Sequence, residues 1–595
     1  MRRRRSCPGS SPGYEGARQR VYRPRPLRAK MRGLRGRLRI VAVVLILLGI
    51  GAAVLFPDAA RTVATLPLLA FFSVLRMVAA YVLSLLFAIS YGHTAATNRR
   101  AATVMLPVMD ILQSIPILGF FPFVLLFFVN GPLGDPFGIE VAAVFLIFTS
   151  MAWNMAFGVY ESITTLPQDL DQAARSFGLH GWLRFRLLAF PAMVPKLIYN
   201  SILSWTNGWF FLVASEIITS PGTSYVRPGL GSFIYLAGQR GDIGGIAIGI
   251  AALATVVLLL DVFLWRPMSV WSERFRMETT ATGERASLHV PSPYERLRWL
   301  PRFPRLRREV ARRTQPLVDR YARSSAKLDR VYSSHQRVIR AVRRADIGLF
   351  LIIFVIVVAT GLIGLVGFFQ RPLPSEARGL PIAAAFSFLR LLLAYLSALA
   401  WTIPVAAWLG RSKWAARFVT PVFEISASIP ATALQPLIIG FAVAVTMGGY
   451  FAGEIGAYLV SLFAMQWYLL FNLIAGVRSI PGDLDEAARA FGLRGRTYWR
   501  RLLLPALVPS LATGSITAWG AGWNALIVAE YLQFGRSVYS VTGLGASLFQ
   551  ATVVTGNYVM GYLTVLAMTV VVLTLNKLLW RPIYKRAAVK YRMDV

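Results

Sequence analysis

Apolar runs of membrane-spanning length recur along this chain, separated by short polar stretches rich in arginine. A helix needs roughly twenty predominantly apolar residues to cross a bilayer. Six runs in the first half meet that requirement, at 39–56, 66–91, 103–129, 138–160, 191–219 and 243–265. Six more follow in the same order with similar gaps, at 347–369, 381–409, 416–447, 454–476, 505–533 and 557–580. The pattern predicts an all-α integral membrane protein of about 12 transmembrane helices, arranged as two six-helix units.

The two sets are copies of each other. Residues 171–191 read DQAARSFGLHGWLRFRLLAFP and residues 485–505 read DEAARAFGLRGRTYWRRLLLP, and Pro167 recurs as Pro481, 314 residues on. The same spacing relates Arg76 to Arg390, Pro116 to Pro430, Trp205 to Trp519, Trp209 to Trp523, Glu216 to Glu530 and Gly231 to Gly545. A period that long suits a duplicated domain rather than a solenoid unit. An even number of spans per copy gives both copies the same orientation, so they are expected as parallel repeats about an axis along the membrane normal, with a pathway on that axis. The organisation expected is a basic tail at 1–38, repeat one at 39–270, a basic linker at 271–346 and repeat two at 347–595.

Charge supports the count. Lysine and arginine number 63 against 27 aspartates and glutamates, a net +36 in a chain that is 56% hydrophobic. The basic residues crowd into the first forty positions, the stretch RLRWLPRFPRLRREVARR and the tail RPIYKRAAVKYR. Each cluster flanks an apolar run, which is the positive-inside pattern of cytoplasmic segments rather than a nucleic-acid footprint. Both termini, the linker and the repeated phrase are therefore expected in the cytosol, and MRRRRSCPGS is read as a retained tail. Within the linker, Val318, Tyr321, Leu328, Val331, Tyr332, Ile339 and Val342 recur at near-helical spacing among arginines. That stretch is either a helix on the inner leaflet or a tether.

Several chemistries drop out. The single Cys7 has no partner for a disulfide, and His93, His180, His289 and His335 show no HExxH or triad spacing, so no metal site or catalytic centre is expected. No GxxxxGK[ST] occurs, so the chain is expected to bind no nucleotide through a P-loop of its own and no cofactor.

The repeated phrase has the build of a short helix. Thr165 is placed to cap, Pro167 fits a first turn, Asp169 and Asp171 sit where the helix dipole favours negative charge, and Gly178 supplies the stop. Ser479, Pro481, Asp483, Asp485, Glu486 and Gly492 repeat the logic. Leu170, Ala173, Ala174 and Phe177 share one face at i, i+3, i+4 and i+7, as do Leu484, Ala487, Ala488 and Phe491. An apolar stripe on a polar loop requires something to pack against.

These residues resemble the EAA loop of the membrane subunits of ATP-binding-cassette importers: Glu-Ala-Ala, three residues, Gly, and later Leu-Pro at the next span. The second copy carries Glu486-Ala487-Ala488, Gly492 and Leu504-Pro505; the first carries Gln172-Ala173-Ala174, Gly178 and Phe190-Pro191. PVMDILQSIPILGFFPFVLLFF at 107–128 and GWNALIVAEYL at 522–532, with GLG at 543–545, are most similar to the nitrate/sulfonate/taurine/bicarbonate-type permeases. The resemblance implies a type I importer fold with the permease dimer fused in one chain, and a pathway for a small solute, a small anion such as a sulfonate, nitrate or bicarbonate leading. It also implies that Gln172, Ala173, Ala174, Gly178, Glu486, Ala487, Ala488 and Gly492 couple to two ATP-binding cassette subunits that hold ATP and Mg, and that an extracytoplasmic binding protein delivers the solute. Gln172 departs from the pattern, which expects Glu. The rival reading is an ion-gradient-driven secondary transporter with parallel repeats.

Ionisable residues within spans default to a functional hypothesis. Arg76 and Arg390, at matched places, either form a positive ring for an anion or pair with Asp110, Glu424, Glu216 or Glu530 to hold the bundle. Trp153, Trp205 and Trp209 with their mates are either packing or ligand platforms.

Overall fold

A computed structural model describes residues 64–275 and 374–586, with breaks at 115, 121–123, 130–136, 180, 221–222, 536, 581 and 584–585. The tail 1–38, the expected spans 39–56 and 347–369 and the amphipathic part of the linker lie outside the described residues.

Among the described residues, eight helices are long and apolar enough to cross a bilayer. They are Leu66–Thr97, Phe137–Thr164, Phe185–Ser215 and Ile243–Phe275, then Ser375–Arg411, Tyr450–Arg478, Gly495–Ala529 and Tyr558–Trp580. A helix satisfies all its own backbone groups in lipid, so these apolar runs have no cheaper conformation available. The four described spans of each half recur in the same order.

Two expected spans are not single rods. Pro430 bars the preceding Ile429 from helical geometry, and Ile429 is extended at φ −83°, ψ 119°. One helix therefore ends at Ser428 and another, Ala431–Thr446, starts beyond the proline, bent by 92° from its predecessor. In the first half the helix Arg99–Ser114 likewise stops just before Ile115-Pro116.

The spans expected at 191–219 and 505–533 end early. Their helices stop at Ser215 and Ala529, and the chain turns into two antiparallel hairpins, Ile217–Ser220 with Thr223–Val226 and Tyr531–Phe534 with Ser537–Ser540. Short β-branched and aromatic runs beside a turn favour a ribbon over more helix. Gly535, at φ +61°, supplies left-handed backbone for the second hairpin.

The core of each half is built on aromatic rings. Trp205 lies 5.6 Å from Tyr81 and 5.5 Å from Trp265 between ring centroids, and Trp519 lies 5.7 Å from Tyr395 and 5.8 Å from Trp580. Trp205, Trp209, Trp519 and Trp523 are all buried in these clusters, and Trp153 and Trp467 stand edge-on to Phe87 and Trp401, so the tryptophans pack. Gly208 and Gly522 let helices approach closely, since a Cβ at either would meet Met151 or Met465 at 2.1 and 2.8 Å.

Candidate functional site

Three sets of residues singled out by the chain's repeats fall at separate places: a charged cluster at the hairpin end of each half, a short helix at the opposite end, and the seam between the halves.

At the hairpin end, Arg76 sits in the helix Leu66–Thr97 with its side chain buried. Its guanidinium grips Glu140 bidentately, Nε donating to Oε2 at 2.7 Å and Nη2 to Oε1 at 2.9 Å, while Nη1 donates to Glu216 Oε1 at 3.1 Å and to the Pro228 carbonyl at 2.9 Å. Glu216 is fully buried, yet its oxygens also accept from Ser73 Oγ at 2.6 Å and from the backbone N–H groups of Gly231 and Ser232 at 2.7 and 3.1 Å. Those N–H groups open the helix Leu230–Arg240, whose positive dipole end favours the carboxylate. The glycines are steric requirements: a Cβ on Gly229 would stand 2.1 Å from Glu216 Oε1, and one on Gly231 would stand 2.6 Å from Val213 Cα.

The second half reproduces this cluster residue for residue. Arg390 binds Glu454 through Nε and Nη2 at 3.0 and 2.9 Å, pairs with the buried Glu530, and donates to the Thr542 carbonyl at 3.2 Å. Ser387 Oγ and the Gly545 N–H, each at 2.7 Å, complete Glu530. An ion pair withdrawn from water stabilises only when its remaining hydrogen-bonding positions are filled, and here both oxygens of each buried carboxylate accept twice while each guanidinium makes four hydrogen bonds. The geometry is that of the pairing alternative, with Glu216 and Glu530 as partners. The arginines do not form an open positive ring, because each guanidinium is committed to two carboxylates and a carbonyl. Glu140 and Glu454 escaped the sequence reading although they too repeat at the 314-residue spacing, a signal sufficient to find them. Asp110 belongs to the helix Arg99–Ser114 and its side chain lies outside the described residues, whereas Glu424, in Thr420–Ser428, is exposed and joins neither cluster.

At the opposite end stand two nine-residue helices, Gln168–Ser176 and Gly482–Ala490. Pro167 and Pro481 are their N-caps. Thr165 and Ser479 do not cap, as their hydroxyls bond back to Glu161 and Gly476 of the preceding helices. Gly178 and Gly492 end them in left-handed geometry, at φ +73° and +71°, with the Leu179 and Leu493 N–H groups returning to Ala174 and Ala488. Of the expected stripes only Ala174 and Ala488 are buried. Phe177 is 84% exposed and Phe491 83%, with Leu170 and Leu484 at 40%. Ala173, Ala487, Gln172 and Glu486 are exposed as well.

The two helices are anchored differently. Asp171 accepts from Arg175 at 3.0 Å and Arg184 at 2.7 Å. Burial pushes its carboxyl up, but Arg184 and then Arg175 more than offset this and leave it below the usual carboxylate range. Asp485 accepts instead from Arg489 at 3.0 Å, from the Tyr498 hydroxyl at 2.6 Å, and at 3.4 Å from Arg411, whose guanidinium lies 4.4 Å over the Tyr498 ring. Tyr498 stands where the first half has Arg184, and Arg411, the last residue of its span, where the first half has Thr97.

Along the seam, the Ile117 N–H donates to Asn524 Oδ1 at 2.8 Å, Thr432 Oγ1 to the Phe210 carbonyl at 2.7 Å, and Tyr468 OH to Asn207 Oδ1 at 2.8 Å. Nearer the hairpins, Tyr235 OH and Gln239 Nε2 both donate to Gln533 Oε1, at 3.1 and 3.3 Å, and the Gly535 N–H reaches the Gly238 carbonyl at 2.9 Å. A cavity of about 130 Å³ opens between the halves, lined by residues of both, among them Tyr235, Thr432, Gln435, Tyr531, Gln533 and Thr552.

Two stretches of the chain, 80–265 and 402–582, match the family described as the binding-protein-dependent transport system inner membrane component, and together they exceed half its length. The chain belongs to that family. It carries this permease domain twice, as a tandem fusion of the kind found in importers driven by ATP-binding cassettes. Curated permeases of the family to which it is similar include the nitrate import permease protein of Leptolyngbya laminosa, 28% identical over 161 residues, 27% of this chain and 55% of that protein. The bicarbonate transport system permease protein of Synechococcus elongatus is 24% identical over 203 residues, 34% of this chain and 66% of that protein. The taurine transport system permease protein of Escherichia coli is 28% identical over 175 residues, 29% and 60% respectively. The matches thus span between about half and two thirds of each relative. As a permease of this family the chain is a membrane transport component, and its fold is the all-α type I importer kind.

Proposed function

We propose that this chain supplies both membrane units of an ATP-driven importer, passing a small anion such as a sulfonate, nitrate or bicarbonate between its two halves. The helices Gln168–Ser176 and Gly482–Ala490 each dock on one of two separate ATP-binding cassette subunits, which hold the ATP and Mg. An extracytoplasmic binding protein presents the solute at the hairpin end, in a bacterial inner membrane, with both termini in the cytosol.

One observation carries the reading. Both loop helices leave an aromatic ring more than four-fifths exposed beside a half-exposed leucine, at matched positions and at the same end. A bare apolar face on a polar loop is what an interface with another chain leaves behind when that chain is removed. The relatives' names supply the solute class and the dense basic flanks supply the sidedness.

Affinity capture of the full chain from its own membranes tests it. The expected result is co-purification of a P-loop ATPase, lost by at least thirtyfold in the double variant Phe177→Glu/Phe491→Glu, since a buried aromatic anchor is worth about 2 kcal/mol or more. Solute uptake by the purified chain alone, driven by a proton or sodium gradient, overturns the reading.

A further inference from the structure

The cavity between the halves is uneven in a way that the duplication does not require. First-half residues supply five of its sixteen lining positions, Val213, Ala214, Ile217, Ile234 and Tyr235, and only Tyr235 among them has a polar side chain. The second half supplies the rest, including Thr432, Gln435, Tyr531, Gln533 and Thr552. At the matched positions the first half carries Leu118 for Thr432, Ile217 for Tyr531 and Thr219 for Gln533. No lining residue is charged.

The hydrogen bonds already made inside the chain decide what this wall has left to offer. Thr432 and Thr552 give their protons to the Phe210 and Leu548 carbonyls. Gln435 spends one N–H on the Val528 carbonyl. Among the described residues Gln533 acts only as an acceptor, its oxygen taking protons from Tyr235 and Gln239, which leaves both hydrogens of its amide nitrogen uncommitted. The Tyr531 hydroxyl makes no hydrogen bond among the described residues, and its ring is fixed by stacking on Phe549 at 3.8 Å. Donors therefore remain free on rigid supports, and the acceptors beside them are neutral amide and hydroxyl oxygens, with no carboxylate in the lining to hold a cation.

Resting on the importer reading above, we infer that this cavity is a transit site for a small oxyanion, written by the second half alone, with the Gln533 amide and the Tyr531 hydroxyl as its donors. N–H and O–H groups aimed at an ionised oxygen make charge-assisted hydrogen bonds. Neutral donors hold an anion without the trap that a desolvated arginine sets, which suits a site that must release what it binds. Size agrees, since a cavity of roughly 150 Å³ accommodates benzene, and this one admits an ion of about that many heavy atoms or fewer.

The decisive variant is Gln533→Glu. A carboxylate at that position still accepts from Tyr235 and Gln239, so a residue that merely ties the halves together keeps its bonds, whereas a donor to the solute loses both hydrogens and gains a repelling charge. The full chain in lipid nanodiscs is probed with sodium methanesulfonate by saturation-transfer NMR. The expected result is a methyl signal in the wild type, displaced by nitrate, that weakens at least tenfold in Gln533→Glu while the unfolding temperature holds. Tyr531→Phe, which deletes a hydroxyl that holds no other described residue, weakens it about threefold and decides the matter should Gln533→Glu fail to fold. An undiminished signal in the variant that decides, no signal in the wild type, or an equal signal from tetramethylammonium each overturns the inference. The ATPase is absent from this measurement, so a lost importer partner and a lost oxyanion site remain separate outcomes.

Discussion

The charged clusters at the hairpin ends and the seam between the halves began as duplicates and have fared differently. Arg76, Glu140, Glu216 and Ser73 recur as Arg390, Glu454, Glu530 and Ser387 with the same bonding pattern. At the seam, one half meets the other through a backbone N–H and the Asn524 side chain, and the reciprocal contact uses the Thr432 side chain and the Phe210 backbone, although Phe210 and Asn524 are matched positions. The buried clusters, whose partners all lie within their own half, satisfy the same constraints in both copies, whereas the partly exposed anchors of the loop helices at Asp171 and Asp485 have been free to change partners. A group facing the other half, or a solute, is released from that symmetry once the halves are one chain.

The largest test of this contrast lies in the clusters. Arg76→Met and Arg390→Met each strand a fully buried carboxylate, and each is expected to cost about 3–5 kcal/mol, measured as lost unfolding stability in detergent. Comparable losses from both support equivalence of the clusters, and tolerance in one half breaks it. A smaller effect is expected at the loop helices. Arg411 is partly exposed, so Arg411→Gln changes stability by about 1 kcal/mol or less, but it unties the second loop helix from the end of its span. Amide exchange is expected to quicken across 482–490 and stay unchanged across 168–176. The smallest effect concerns Asp171. Its folded pKa is depressed, so its contribution is present above the ordinary carboxylate value of about 3.9 and is lost as pH falls through the lower folded value. An NMR titration is expected to place its midpoint below that value, and Arg184→Gln to raise it.

Much of this was legible in the chain, because hydrophobic run length and a fixed repeat spacing are strong signals. The helices 66–97, 137–164 and 450–478 follow from them directly. The hairpins were hidden, since Ile217-Ile218 and Tyr531-Leu532 extend an apolar run and read as more helix until the buried Glu216 and Glu530 are seen to end it. Glu140 and Glu454 were passed over although they fall inside the expected spans 138–160 and 454–476, because a carboxylate in the first turn of an expected span is already accounted for by the helix dipole. The proline pairs were visible, but the angle at Ile429 depends on what the two helices pack against. Which of the stripe residues Leu170, Ala174 and Phe177 face inward is equally a tertiary matter, because periodicity assigns a face and not its covering.

The salt-linked clusters also bear on how such a molecule moves. Each one rivets the helix Leu66–Thr97 or Ser375–Arg411 to the start of the helix Phe137–Thr164 or Tyr450–Arg478 and to the base of a hairpin at a single point. A bundle pinned so firmly at one rim has little slack within itself, which leaves the boundary between the bundles as the place where one shape gives way to another.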